Sequence, residues 1–474
     1  MSKAIVWFKT DLRLHDHAPL TAALDENEQV LGVYCINPSD FAETKWGWPK
    51  TGPHRAKFLL ESLQALQHEL ESCEGKLVVL RGDPSHELPR LAKSIQATGV
   101  YAHAEIAHDE KQTLTAVQEK LHVPLHTREG NQLFLEDELP FQVSEVPDIF
   151  TKFRKPVEKY STVSEPLPRP AKVPYWSSDV PPSKIPSLQD LGLQEPESDS
   201  RIVLSFQGGE QAGLDRLDEY FWETDCITRY KETRNKLLGA NYSSKFSPWL
   251  ANGCLSPRTI YAELQQYEQT RTANSSTYWM YFELLWREYF RWIMLRYGTR
   301  FFFPQGLKDC KPYHRPNPDL FEQWRYGFTG MPFVDANMRE LLQTGFMSNR
   351  GRQNVASYLV KDLCLDWRKG ASYFESMLLD YDVSSNWCNW AYIAGVGNDP
   401  REQRYFNVLL QAQRYDKRGK YVRQWIPELR QLPDSLIHTP FAMSRSQQER
   451  YELRIDRDYP GLHTIPKPWK KLLG

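Results

Sequence analysis

The chain has 474 residues, of which 41% are hydrophobic and 25% charged, and its net charge of −1 excludes a uniformly basic or acidic protein. This length suffices for two or three domains with a large core. The seven cysteines, an odd number without any C-x-x-C pair, exclude a disulfide framework and a zinc-binding pattern and predict a reducing compartment.

The N-terminus is charged from Lys3 onward, too early for a signal peptide, and no apolar run in the chain has the length of a membrane span. We therefore expect a cytoplasmic protein that does not enter a membrane.

The first part of the chain alternates between strand-like and helix-like segments. The strand-like runs are KAIVWF, VLGVYCIN, KLVVLRG and GVYAHAE, and HRAKFLLESLQALQHELESC is one of the helical stretches between them. This βαβ rhythm predicts an α/β domain over residues 1–135 with a doubly wound parallel sheet. No G-x-G-x-x-G follows the first strand, so the ordinary dinucleotide fingerprint is absent.

A proline-rich connector and a helical region follow. Residues 140–196 hold 11 of the 32 prolines, which predicts an extended linker over 136–200 without long helices. Residues 201–435 have a helical pattern, in which STYWMYFELLWREYFRWIMLRYG predicts one long helix. A later stretch predicts two helices that separate near Gly370, and residues 436–474 predict an irregular tail.

The helical region is more basic than the rest of the chain. Residues 201–430 contain 31 Lys/Arg and 25 Asp/Glu. A basic face on a nearly neutral protein suits a polyanion, and an ordinary solvated surface is the alternative.

Polar side chains interrupt the aromatic helices at positions where a core would not favour them. They are Glu283, Asn349, Arg350, Arg352, Asp380 and Asp382. A charged group in apolar surroundings must be paired or must bind something, and Arg352 with Asp380 is the pair that we expect. The tryptophans of the same helices include Trp387 and Trp390, for each of which core packing is the simplest role.

A hydroxyl cluster precedes a predicted helix in NYSSKFSPWLANGCLSPR. Ser243, Ser244 and Ser247 surround Lys245 there. Hydroxyls, a cation and the N–H groups of a helix start can bind an anion. An ordinary serine-capped helix is the alternative.

Six long motifs together resemble the photolyase/cryptochrome family, and most closely its cryptochrome DASH branch. They are WFKTDLRLHDH, KFSPWLANGCLSPR, ELLWREYFRW, TGMPFVDANMREL, GFMSNRGRQNVASYLVKDLCLDWRKG and DYDVSSNWCNWAYIAGVGNDPREQRYFN. The resemblance implies an α/β antenna domain and an all-α C-terminal domain that holds FAD.

The resemblance also implies site residues. The positions that match flavin and phosphate contacts are Tyr230, Ser243, Ser244, Lys245, Phe246, Ser247, Arg352, Asp380, Asp382 and Asn386, the last of which faces flavin N5. The positions that match the lesion and DNA side are Glu283, Trp286, Arg287, Asn349, Arg350, Gln353 and Tyr392.

Trp390 matches the electron donor nearest the flavin, and Trp367 matches the second donor. Trp387 lies outside that relay, where it packs. The outer donor position aligns with His314, a poor one-electron donor, so Tyr313 or another aromatic such as Trp324 would have to replace it.

The branch further implies 5,10-methenyltetrahydrofolate as an antenna between the domains. Glu105 is the first candidate for its pterin contact and Glu110 the second, with two solvated carboxylates at a helix start as the alternative.

The implied activity is blue-light-driven repair of cyclobutane pyrimidine dimers, preferentially in single-stranded DNA, by a monomer without a metal. Three rivals remain: a blue-light photoreceptor with little repair activity, a photolyase acting on duplex DNA, and an FAD enzyme that does not use light.

Overall fold

The computed structural model describes residues 2–176, 180, 182–309, 311–401, 404–466 and 468–469. Its N-terminal part contains a five-stranded parallel sheet with strand order β3-β2-β1-β4-β5. The strands are β1 (Lys3–Phe8), β2 (Gln29–Ile36), β3 (Leu77–Arg81), β4 (Gly99–His103) and β5 (Leu125–Arg128). The predicted doubly wound sheet is confirmed. The short and polar LHTR sequence of β5 gave no strand signal.

Both faces of the sheet are buried, as the near-continuous apolar runs require. Ala4, Val6 and Phe8 face one core, while Ile5 and Trp7 face the other. The covering helices are α1 (Ala18–Glu26), α2 (Pro53–Ser72), α3 (Pro84–Ser94) and α4 (His108–Lys120).

The linker contains a helix that its prolines did not predict. Helix α5 (Phe150–Tyr160) has Pro156 inside it. Phe150, Phe153 and Val157 share one face and are buried, so tertiary packing offsets the backbone hydrogen bond that a proline cannot make.

The C-terminal part is helical. Its helices up to the site are α6 (Glu210–Asp218), α7 (Tyr230–Thr233), α8 (Ser247–Ala251), α9 (Pro257–Thr270), α10 (Ser275–Tyr297), α11 (Pro318–Tyr326) and α12 (Pro332–Thr344). Those that follow are α13 (Asn349–Ser357), α14 (Trp367–Met377), α15 (Val383–Ala394), α16 (Val408–Tyr415), α17 (Lys420–Trp425) and α18 (Arg445–Arg450). Helix α10 is the predicted long aromatic helix.

The prediction of a helix break near Gly370 was wrong. Gly370 lies inside α14, and the chain breaks before it, around Cys364, whose φ is +53°. The glycine is needed because a Cβ there would come within 2.4 Å of the Trp390 ring.

The tail after residue 435 is mostly irregular but is docked on the helices. The Tyr459 hydroxyl donates to the buried Asp335 carboxylate at 2.5 Å, and Trp469 Nε1 donates to the Tyr405 hydroxyl at 2.8 Å. Across the described ranges, no helix combines the length and apolarity that crossing a bilayer requires. The six cysteines within those ranges are free thiols, and Cys310 lies outside them, as do Glu402 and Gln403 of the last motif.

Candidate functional site

A cavity of about 110 Å³ lies between α13, α14 and α15. Seven of the predicted site residues line it: Asn349, Arg352, Gln353, Asp380, Asp382, Asn386 and Trp390. The expected ion pair is present, because Arg352 Nη2 donates to Asp380 Oδ2 at 2.8 Å. Residues from two separate motifs therefore meet at one cavity.

Two acceptors of this cavity have no partner within the described part of the chain. They are the second carboxylate oxygen of Asp380 and the amide oxygen of Gln353, both buried. Buried polar atoms are normally hydrogen-bonded. A bound heterocycle that carries N–H donors would satisfy them, and the isoalloxazine ring of the implied flavin is such a group.

Asn386 and Trp390 stand one turn apart on α15 and both line the cavity, as the spacing predicted. Asn386 Nδ2 donates to the Ala371 carbonyl at 3.0 Å, which fixes the orientation of its amide. Trp390 is buried with its ring edge-on to Phe374, at 5.1 Å between centroids.

The tryptophans around Trp367 are arranged differently from the expectation. The ring of Trp367 contacts Trp387, with centroids 6.0 Å apart, whereas Trp324 contacts Trp390 at 6.2 Å. Tyr313 is 70% exposed, and its hydroxyl accepts from Arg315 Nε at 2.7 Å. Trp387, which was expected only to pack, is thus in ring contact with the second predicted donor.

The predicted anion-binding loop is organised by an arginine that sequence reasoning missed. Arg216 Nε donates to the Ser244 carbonyl at 3.0 Å, and its Nη2 donates to the Ser243 carbonyl at 3.3 Å. Ser247 is the first residue of α8, the cap position is Phe246, and no side chain caps this helix, so the alternative of an ordinary serine-capped helix was wrong. A buried arginine on a polar helix has no distinctive sequence pattern.

Lys245 is not placed as a free cation of that loop. Its Nζ donates to the Gly239 carbonyl at 3.0 Å and lies 4.6 Å from the Tyr242 ring centroid. Burial lowers the pKa of the ammonium to about 8. Phe246 and Tyr230 are both buried beside this loop, outside the cavity lining.

A second group of predicted residues surrounds Trp286. Its ring meets Tyr392 edge-on, with centroids 6.4 Å apart and an angle of 87° between the planes. Glu283 lies one turn earlier on α10 and is bound by Arg234. Burial raises the pKa of Glu283, although the charge of Arg234 opposes the shift.

The remaining predicted DNA contacts are divided. Arg350 Nη2 donates to Asn235 Oδ1 at 2.9 Å, and its guanidinium lies over the Tyr415 ring at 4.7 Å. Arg287 lies elsewhere: it donates to the Asn131 carbonyl at 2.8 Å and lines the cleft between the two domains. Burial, followed by the charge of Arg291, lowers its pKa to about 10.

That interdomain cleft has a volume of about 410 Å³ and is lined by both antenna candidates. Glu105 Oε1 lies 2.6 Å from Lys9 Nζ, so its carboxylate is already paired. Burial, followed by the charge of Glu105, raises the pKa of Glu110 to about 7. Asp382 lines both this cleft and the smaller cavity. Burial opposes its ionisation, but Arg287 holds its pKa below the ordinary value.

A buried cluster of Asp11, His17 and His103 was not recognised in the sequence. Asp11 Oδ2 lies 2.5 Å from His103 Nδ1 and 3.0 Å from His17 Nε2. His17 Nδ1 accepts from the Leu20 backbone N–H at 3.0 Å, which places the proton of a neutral ring on Nε2. The cluster is therefore a hydrogen-bonded support for the end of β1 and not an open set of metal ligands.

Comparisons with known proteins identify the family of the chain. The DNA photolyase family model matches residues 4–171, and the model for the FAD binding domain of DNA photolyase matches residues 279–465. Cryptochrome DASH of Gloeobacter violaceus is 49% identical, with 96% of this chain and 92% of that protein covered. Cryptochrome DASH of Xenopus laevis is 45% identical, with coverages of 98% and 90%.

Solved structures are similar over the full length. The Synechocystis sp. PCC6803 cryptochrome has a TM-score of 0.96 at 45% identity, covering 100% of this chain and 98% of that one. A class III photolyase from Agrobacterium tumefaciens has a TM-score of 0.85 at 28% identity, covering 100% and 96%. The chain therefore belongs to the photolyase/cryptochrome family of FAD-binding flavoproteins, and its named relatives include cryptochromes DASH.

Proposed function

We propose that this protein uses blue light to repair cyclobutane pyrimidine dimers, preferentially in single-stranded DNA. One arrangement carries the proposal. Helix α15 presents Asn386 and Trp390 to the cavity that we assign to the flavin ring, and two residues later it presents Tyr392 to Trp286. A lesion stacked on Trp286 beside Tyr392 would therefore lie near this cavity, because the same helix carries Tyr392 and the two cavity residues.

Reduced FAD, when bound and excited, supplies the electron that opens the cyclobutane ring. The protein binds and orients the reactants. Asp380, held by Arg352, offers an acceptor to a ring N–H, and Asn386 is fixed at the same cavity by Ala371. Preorganised polar groups of this kind avoid reorganisation during the reaction.

The dimer side would be bound by stacking and by one carboxyl group. Trp286 offers an aromatic face to an extruded base. Glu283, which lies on the same helix as Trp286 and is paired with Arg234, can hydrogen-bond a pyrimidine carbonyl or N–H.

Two positions support the single-strand preference. Tyr392 provides a small wall whose hydroxyl accepts from Arg404 at 2.7 Å, and Gln353 places a polar amide in the lining of the adjoining cavity. Extruding a dimer from a duplex costs a few kcal/mol more than binding it from a single strand. A weakly stacking pocket would offset that cost poorly.

We also propose that the interdomain cleft holds 5,10-methenyltetrahydrofolate, with Glu105 or Glu110 at its pterin. Both carboxylates line the cleft, and carboxylates accept from N–H groups of such a ring. The proposal keeps the domain division at 1–135, 136–200, 201–435 and 436–474. A cytoplasmic location stays a prediction, since three plant relatives are named chloroplastic/mitochondrial. A monomeric state also stays a prediction.

The deciding experiment illuminates purified, flavin-loaded protein with single-stranded and duplex oligonucleotides that carry one dimer. Light-dependent restoration of the single strand, with little turnover of the duplex, supports the proposal. No turnover on either substrate would favour a photoreceptor. An absorption spectrum of the same sample tests the cofactors, because folate adds a near-ultraviolet band to those of the flavin.

A further inference from the structure

The linker helix α5 places an aromatic ring directly behind Trp286. Phe150, its first residue, stacks on the indole with ring centroids 3.8 Å apart and only 14° between the planes. Phe150 is buried, whereas Trp286 is half-buried. One face of the predicted base-stacking tryptophan is thus covered by a residue from outside the helical region.

Phe150 is held in a slot of α10. Phe282, Trp286 and Tyr289 are spaced four and three residues apart, so they form one stripe of that helix. The ring of Phe150 meets Phe282 edge-on at 5.3 Å and Tyr289 edge-on at 5.6 Å, while it stacks on Trp286. The slot fixes the orientation of the ring.

Polar contacts hold the first half of α5 along the same stripe. The Tyr289 hydroxyl donates to the Asp148 carbonyl, two residues before α5, at 2.6 Å. One turn after Phe150, Arg154 Nη1 donates to the Tyr278 hydroxyl at 2.6 Å, and its guanidinium lies 5.4 Å from the Phe282 ring centroid. These bonds hold the chain on both sides of Phe150 against α10.

We infer that Phe150 is a positioning residue for the stacking of a pyrimidine dimer on Trp286. This inference rests on the proposed repair function. Phe150 covers one face of the indole, and Tyr289, Phe290 and Tyr392 contact the ring at an angle, so this half-buried ring is held in one orientation. A base that stacks on a ring that is already immobile loses less conformational freedom on binding. The linker would then contribute to substrate affinity without touching the substrate.

The test measures the affinity of Phe150→Leu for a dimer-containing single strand, by fluorescence anisotropy in the dark. Leucine keeps the site apolar but removes the stacked ring. We expect binding to weaken about fivefold, KM to rise while kcat stays unchanged, and the flavin spectrum to stay that of the parent. Phe150→Tyr, which retains the aromatic ring, should bind the dimer-containing strand with the affinity of the parent protein.

Phe153→Leu is the matched control, because Phe153 is buried on the same helix and packs on Tyr289 and Phe141. It should bind like the parent. Equal losses in both variants would show general loosening of α5 and overturn the inference.

A double-mutant cycle isolates the route of the effect. In a Trp286→Ala background, Phe150→Leu should cause no further loss of affinity. An undiminished fivefold loss there would overturn the inference, as would parental affinity in Phe150→Leu itself. If the parent protein does not prefer dimer-containing over undamaged strands, the proposed function fails as well. If the parent protein prefers the dimer-containing strand and Phe150→Leu binds that strand equally well, only the role of Phe150 is refuted.

Discussion

Asp380 uses only one of its carboxylate oxygens in the ion pair with Arg352. The pair closes at 2.8 Å, and the other oxygen is buried without a partner among the described residues. The carboxylate is therefore held in place by one arginine and left with acceptor capacity toward the cavity that it lines.

Removing that arginine should cost both stability and cofactor. Asp380 is 3% exposed and Arg352 25%, so Arg352→Ala leaves an unpaired buried carboxylate at a cost of about 2–4 kcal/mol. We expect less flavin per protein after purification and a lower unfolding midpoint in urea. Arg368→Ala is the control, since Arg368 pairs with Asp366 at 2.6 Å without lining the cavity. A stable, fully loaded Arg352→Ala protein would contradict the role of the pair.

The pKa of Glu110, raised to about 7 by burial and then by Glu105, predicts a pH-dependent stability. The pKa of Glu110 in the folded protein lies above the unfolded value of 4.5. Its contribution to the free energy of unfolding is therefore fully present below about pH 4.5 and is lost as the pH rises through 7. Glu110→Gln should remove up to about 2 kcal/mol of the fall in unfolding free energy between pH 5 and pH 8.

Urea unfolding of the folate-free protein at both pH values gives the measurement. Glu119→Gln, at an exposed position of the same helix α4, serves as control and should leave the pH slope of the parent. Identical slopes in the parent and in Glu110→Gln would show that Glu110 titrates normally.

Much of this site could be predicted because its signals are local. Asn386 and Trp390 share a face through helical spacing, and the pairing of Arg352 with Asp380 follows from two charges in apolar motifs. The predictions that failed depend on contacts between distant segments. Gly370 lies inside a helix because the Trp390 ring leaves no space for a side chain there. The placement of Lys245 follows a backbone φ of +56° that no residue pattern reveals.

The helix α5 and the position of Arg287 were also not predicted, because both depend on contacts between distant segments. The prolines around residue 150 argued for an extended linker, and only the aromatic stripe of α10 makes a helix there favourable. The motif of Arg287 indicated the DNA side, yet each residue of a helix turns by about 100°, which brings Arg287 to the interdomain cleft while Trp286 faces Tyr392.

Enlarging the lesion wall should relax the single-strand preference. Tyr392→Trp adds stacking surface beside Trp286, and Gln353→Met replaces a polar lining residue of the adjoining cavity by an apolar one. Base stacking is worth about 1–3 kcal/mol per base, comparable with the cost of extrusion from a duplex. We expect the double variant to gain duplex repair by at least about tenfold while single-strand repair changes little.

Repair rates on matched single-stranded and fully paired oligonucleotides provide the comparison, with Gln353→Glu as a control that keeps a polar side chain. If the parent protein already repairs both substrates equally, these two positions do not set the preference.

Electrons are expected to reach the flavin from a partly exposed aromatic, which passes them to Trp367 and then to Trp390, the donor nearest the flavin. Because His314 occupies the outer position, another ring must take that place. Trp387 is half-buried and contacts Trp367 at 6.0 Å, and its Nε1 donates to the Tyr381 hydroxyl at 3.3 Å. Trp324, in contrast, is fully buried beside Trp390.

We therefore expect Trp390→Phe and Trp367→Phe each to slow photoreduction strongly. Trp387→Phe should also slow it, because this variant loses the ring that we expect to act as the outer donor. Tyr313→Phe is the matched control, because that ring is exposed and bound to Arg315. Flavin absorbance under steady illumination with an external thiol gives the rate, and flash-induced absorbance of the tryptophan radical shows which ring holds the missing electron. If Trp390→Phe and Trp367→Phe both photoreduce the flavin at the rate of the parent protein, Trp390 is a packing residue and not an electron donor. A slow Tyr313→Phe beside a normal Trp387→Phe would move the outer donor to Tyr313, because phenylalanine is much harder to oxidise than either ring that it replaces.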